Sequence, residues 1–269
     1  MSFFVRWLQR LVLAAIAALT IWLVVVQIFD RVDRRLPWFV ALLGTYFVAA
    51  YVILPLVLRV AVTLTRGNRI PRVTRAGDGI PADPVNIMLA GSLADLKSGF
   101  EKAGWAQADP LTLRTSWRMI VCFVTDRPYP TAPFSPLFLF GRRQDIGFQE
   151  DVGDSPRKRH HVRFWAAEAE PQFDAVAAAF WSRRTKISAD RAQVWVGAGT
   201  QDLGFGLQSM TFQISHRVDR HSDPERDHIV AALQSAGAIR DVRFIEAGQP
   251  VGSRFKSDGG IVQATLSKG

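Results

Sequence analysis

The chain has 269 residues, 33 basic and 24 acidic side chains for a net charge of +9, and a single cysteine. That basic balance raises nucleic acid as a partner, but its distribution excludes one. Residues 1–75 carry ten arginines and two aspartates, and the remainder is within one charge of neutral, too weak a field to attract a polyanion.

Two runs near the start, residues 11–29 and 36–58, contain no Asp, Glu, Lys, Arg or His. At 1.5 Å of rise per residue they make helices of about 28 and 34 Å, enough to cross a hydrocarbon core of about 30 Å. The polar stretch from Asp30 to Arg35 is short enough for only a tight turn, so residues 1–65 read as an α-helical transmembrane hairpin. The first run ends without a small-residue cleavage pattern, which predicts a retained anchor, not a signal peptide. Ala14 and Ala18 on one helix, with Ala41, Thr45 and Ala49 on the other, stand at four-residue spacing that lets backbones approach. No charge inside either run points to an ion pathway, so the hairpin reads as a plain anchor in the lipid bilayer.

Orientation follows from arginine. Arg6, Arg10, Arg59, Arg66, Arg69, Arg72 and Arg75 flank the outer ends of the hairpin, against Arg31, Arg34 and Arg35 in its turn. The excess predicts both termini and the soluble part on the cytoplasmic side. Arg66, Arg69, Arg72 and Arg75 are expected to hold anionic lipid headgroups, at roughly 1 kcal/mol each.

Residues 66–84 are rich in Pro and Gly without apolar periodicity and read as a linker. Residues 85–269 are the size of one soluble domain. Strands are predicted at 85–89, 137–140, 145–149, 160–166, 194–200, 212–215, 242–246 and 261–266, and helices at 92–103, 111–124, 172–183 and 222–236. Ser92 to Asp95 marks a helix cap, and Ser222 to Glu225 a capping box at a second helix start. Strands in succession with helices at intervals indicate an α+β domain, a mixed or mostly antiparallel sheet with flanking helices. A doubly wound nucleotide fold is excluded, since the stretch from Gly197 to Asp202 lacks the third glycine of a dinucleotide loop and Gly199 to Gly204 is not followed by a phosphate-gripping lysine. Cys122 lies in an apolar run, which predicts burial in place of reactivity.

Four polar clusters carry the candidate chemistry. In the turn from Gly141 to Asp145, Arg142 is either a candidate clamp for a phosphate or carboxylate or part of a solvated hairpin. From Arg159 to Trp165, strand alternation puts Arg159, His161, Arg163 and Trp165 on one face and His160, Val162 and Phe164 on the other. The first of these is an anion-binding arrangement or a sheet edge. From Trp195 to Asp202, small residues leave room above a sheet or permit a bulge, with Asp202 at the strand end. From His216 to Arg226, His216 and Asp219 are the first candidates for a metal pair, although Asp223 and Glu225 are also what a helix start demands. His161, Arg163, Asp202 and His216 are expected to line one pocket, with Glu225 or Arg226 near its rim at a helix N-terminus that favours anions.

These clusters, in this order, resemble a known family. Pro84 to Trp105, Ala132 to Asp145, Arg157 to Trp165, Trp195 to Asp202 and Ser215 to Arg226 are similar to the LssY C-terminal domain. The resemblance implies a bacterial inner-membrane setting and partners in envelope or secretion processes, and it supplies no catalytic residue and no cofactor. The signature of lipid phosphatases is absent, because Ser215-His216-Arg217 lacks the required glycine.

Two functions remain open. One is a binding or accessory module of the bacterial envelope. The other is a membrane-tethered hydrolase of an anionic, lipid-linked or phosphorylated substrate. It would use His161 and His216 as acid or base, Asp202 and Asp219 as orienting or metal-holding groups, and Arg142, Arg163 and Arg226 for the anion. Catalysis requires these residues to converge in one open pocket, whereas binding requires only an exposed patch.

Overall fold

The computed structural model describes Trp22 and residues 37–57, 72–77, 79–125, 127–152, 158–167, 194–207, 214–247 and 255–268. They divide into two compact units, the first containing the N-terminal apolar segment and the second most of the remaining chain. In the first, helix α1 (Trp38–Val57) has 20 residues and is long and apolar enough to cross a membrane. A π-helical turn occupies Ala49–Ile53. The buried residues of α1 are Ala41, Thr45 and Ala50, so the expected small-residue stripe shifts by one position where the wider turn rotates the face. One such helix is therefore present among the described residues where two spans were expected. The expected span 11–29, apart from Trp22, lies outside those residues, as does the expected helix 172–183.

The second unit begins within the stretch expected to be a linker. Strands β1 (Val73–Arg75) and β2 (Pro81–Pro84) form there, too short and too Pro-rich to show a strand period in the sequence. With β5 (Phe138–Leu139) and β6 (Arg142–Arg143) they make a small sheet of order β2-β1-β5-β6. The main sheet is built from β3 (Ile87–Ala90), β4 (Ala106–Gln107), β7 (Ile146–Asp151), β8 (Arg159–Ala167), β9 (Val194–Leu207), β10 (Ile214–Val218), β11 (Ile239–Glu246) and β12 (Gly260–Leu266). Its order is β11-β12-β3-β9-β8-β7-β4, with β10 also on β9. Every adjacent pair on that path is antiparallel except β12 with β3, which gives the mixed sheet of an α+β fold.

One face of this sheet packs against helices α2 (Leu93–Lys102) and α4 (Asp223–Ser235) through Leu96, Phe100, Ile229 and Leu233. Phe100 stacks on Phe148 at 4.3 Å. The opposite face packs Met88, Trp165, Val194 and Val196 against Ala82 of β2 and Leu137 and Leu139 around β5. Helix α2 starts at the expected cap, where Ser92 and Asp95 close a capping box. The box expected at Ser222 is not made: Ser222 has helical dihedrals and no side-chain cap, whereas an N-cap needs an extended backbone to turn its oxygen inward. Asp223 instead accepts from Ser257 and from the Asp258 amide.

Helix α3 (Leu113–Val124) is capped by Thr112 and Thr115 and is inverted in its exposure. Among its described side chains the half-buried ones are Thr115, Ser116, Met119 and Cys122, while Leu113 is 93 % and Trp117 67 % exposed, with Ile120 and Val124 also at the surface. Cys122 is thus half-buried, not in the core, because the helix turns its apolar side outward.

Candidate functional site

Strand β8 alternates as its sequence dictates, and two polar groups result, one on each face of the sheet. On the face covered by β1, β2 and β5, Arg159, His161 and Arg163 meet Asp202 and Thr200 of β9, which are the cross-strand partners of Arg159 and His161. Arg159 Nε donates to Asp202 Oδ2 at 3.0 Å and Nη1 to Gln149 Oε1 at 2.8 Å. Arg163 Nη1 donates to Asp83 Oδ2 of β2 at 2.7 Å. The His161 ring lies between Thr200 Oγ1, 2.9 Å from Nε2, and Asp202 Oδ1, 3.5 Å from Nδ1, with Asp83 Oδ2 at 3.9 Å.

This group is sealed. His161 is 1 %, Asp202 2 % and Arg163 8 % exposed, and the Phe134 ring lies 4.8 Å from the Arg163 guanidinium carbon and 5.4 Å from the His161 ring. Two guanidinium and two carboxylate groups compensate one another, so no net positive charge remains to draw an anion. Burial alone would raise the Asp83 pKa, but the neighbouring His161 and Arg163 outweigh it and hold the carboxyl below its ordinary value. Burial likewise lowers the Arg163 pKa, against the attraction of Asp83 and Asp202.

The expected room above Gly197 and Gly199 is filled. A Cβ on Gly197 would come within 2.5 Å of Phe164, and one on Gly199 within 2.4 Å of Ile229. The glycines admit a ring and a helix side chain, not a ligand.

The other expected residues are engaged elsewhere. Arg142 bonds Asp145 and the Ala166 carbonyl, tying β6 to the end of β8. Arg226 is 4 % exposed and holds Asp227, Asp258 and the Gly260 carbonyl, joining α4 to the β11-β12 hairpin. These partners raise its pKa against the effect of burial. Asp219 accepts from the His221 amide at 2.8 Å in an exposed turn. The backbone of His216 belongs to β10, and its side chain is outside the described residues. The structure therefore brings His161, Arg163 and Asp202 together, and Glu225 stands on the opposite face of the sheet from them.

On that helical face a second group forms. Glu150 and His160 are register partners across β7 and β8, and Glu225 and His228 stand three residues apart on α4. His160 Nδ1 is 2.6 Å from Glu225 Oε2, and His228 Nε2 is 2.8 Å from Glu150 Oε2. The two imidazole centroids are 4.1 Å apart at 30°, with the Trp105 ring 6.4 and 6.1 Å from them. Burial would lower the His160 pKa, but the Glu225 hydrogen bond and the charges of Glu225 and Glu150 leave it raised. Glu150, His160 and His228 each offer a ligand atom within 4.8 Å of the other two. Sequence reading missed Glu150 and His228. The available signal was the Glu225-x-x-His228 spacing, which puts both on one helix face, whereas the sequence pointed to Glu225 as part of a helix start and as a rim residue of the site around His161.

A family model described as LssY C-terminus matches residues 67–261. No curated protein and no solved structure matches the chain.

Proposed function

The chain belongs to the LssY C-terminus family, and from that premise we propose that it is a membrane-tethered binding or accessory module of the bacterial envelope. Its anchor is the helical hairpin formed by residues 11–29 and 36–58 in the inner membrane, with both termini cytoplasmic and Arg66, Arg69, Arg72 and Arg75, the last of them on β1, against anionic headgroups. Its partners are the bilayer and proteins of envelope assembly or secretion.

The observation that carries this reading is the outward apolar stripe of α3. Leu113, Trp117, Ile120 and Val124 recur at helical spacing and are exposed, beside the exposed Arg114, Arg118 and Arg127. An apolar helix face carrying Trp and bordered by arginine suits the headgroup boundary of an anionic leaflet. The alternative, a hydrolase acting through His161 or His216 with Asp202 or Asp219, draws less support. His161 and Asp202 are sealed, Arg163 is committed to Asp83, and Asp219 is held in a turn.

The test uses the full chain with Cys122→Ser and Trp117→Cys, labelled at position 117 with an environment-sensitive fluorophore and placed in nanodiscs. Blue-shifted emission, quenched by lipids carrying a nitroxide on the acyl chain and stronger with anionic lipid, is expected. Emission typical of water, unaffected by the quencher, overturns the reading.

A further inference from the structure

The geometry points to a divalent transition-metal site formed by Glu150, His160 and His228, with Glu225 as the residue that orients His160. This inference is independent of the bilayer reading. Two imidazoles and one carboxylate are a donor set suited to Zn²⁺ and to other borderline first-row ions. Ligands about 2 Å from a tetrahedral ion stand roughly 3.3 Å apart, so donors already within 4.8 Å converge by small side-chain movements.

The contact between His160 Nδ1 and Glu225 is the outer-shell bond that metal-ligating histidines usually make. It assigns the proton to Nδ1 and leaves the Nε2 lone pair to coordinate. Glu225 is 4 % exposed, and its Oε1 has no hydrogen-bond partner among the described residues. A buried carboxylate in that condition calls for a nearby cation.

The geometry of the rings argues the same way. Their centroids lie 4.1 Å apart, with each imidazole within hydrogen-bond reach of its own carboxylate. The donors come from β7, β8 and α4, three elements fixed by the core, so the site is held in place by the fold. Trp105 walls one side, while the His228 and Glu150 side chains are 41 % and 36 % exposed. That opening gives the ion an entry path and leaves a coordination position for water or an anionic ligand.

The experiment takes the full chain in detergent, without a histidine tag, strips it with a chelator and titrates it with Zn²⁺ against a chromophoric competitor. One equivalent per chain is expected, together with visible d–d absorption when Co²⁺ is used and a higher thermal midpoint with either ion. His228→Gln and Glu150→Gln, both at half-exposed positions where folding is little affected, should each lose at least about tenfold in affinity. Glu225→Gln should lose about ten- to a hundredfold, as changes in the outer shell do. His221→Gln, an exposed histidine outside the group, should bind as the parent does. Absence of stoichiometric binding in the parent chain overturns the site. So does binding that survives unchanged in both His228→Gln and Glu150→Gln.

Discussion

The Asn86 side chain accepts a hydrogen bond from the Gly199 amide and donates one to the Gly199 carbonyl, each at 2.9 Å. A side-chain amide thus stands in for the peptide group that would continue β3 along β9, at the point where the chain turns away. All three groups are buried, so removing the side chain strands a backbone donor and acceptor. Asn86→Ala is expected to destabilise the chain by about 2–4 kcal/mol, read as a lower denaturant midpoint with unchanged slope. Asn86→Asp should do no better, since a carboxylate faces the Gly199 carbonyl.

Arg163→Met should cost about 3–5 kcal/mol at neutral pH, because it leaves Asp83 buried without its cation. The pH dependence has a defined sign. In the parent chain Asp83 is held below its ordinary pKa of 3.8, so its stabilisation is present in full above that value and is lost as pH falls through the lowered one. Removing Arg163 takes away one of the groups that oppose burial, so the folded pKa rises and acid relieves the penalty. Unfolding curves taken from pH 7 to pH 4 should show the gap between the two chains narrowing. A constant gap would contradict the assignment.

Gly147 is the position that lets Phe134 lie over the sealed cluster, since a Cβ there would come within 2.3 Å of the ring. Gly147→Ala is expected to cost about 1–3 kcal/mol by displacing Phe134. It should also open the cluster, seen as faster hydrogen exchange of the β8 amides around His161. Phe134→Leu, which vacates the same space without the clash, should show the second effect with less of the first.

Trp117→Glu separates surface attachment from folding. Trp117 is 67 % exposed, so stability should stay within about 0.5 kcal/mol of the parent. In nanodiscs of anionic lipid, a fluorophore at Leu113→Cys in that background should lose its lipid-phase quenching. Loss of folded protein in place of loss of quenching would mean that α3 packs inward.

Much of this architecture was legible because its signals are local. Alternation along β8 assigned Arg159, His161, Arg163 and Trp165 to one face, and Ser92 with Asp95 marked the start of α2. What escaped depends on contacts distant in sequence. Asp83 was hidden in a stretch that read as a linker, yet it is the partner of Arg163, 80 residues away. Whether His161 is open or sealed depends on Phe134 and the small sheet, which no pattern around residue 161 records. Glu225 was legible as part of a helix start and as a rim residue, and only the approach of β8 to α4 reveals its bond to His160.

The adjacent histidines of β8 make the strand intolerant of changes in length. Side chains alternate strictly, so inserting one residue between Arg159 and His160 would exchange the two faces for the rest of the strand. His160 would turn into the sealed charge cluster and His161 toward α4, and every aromatic residue of β8 would be inverted with them. Length variation in this hairpin should therefore be confined to the connection between β7 and β8, and a chain altered inside the strand should lose both groups together.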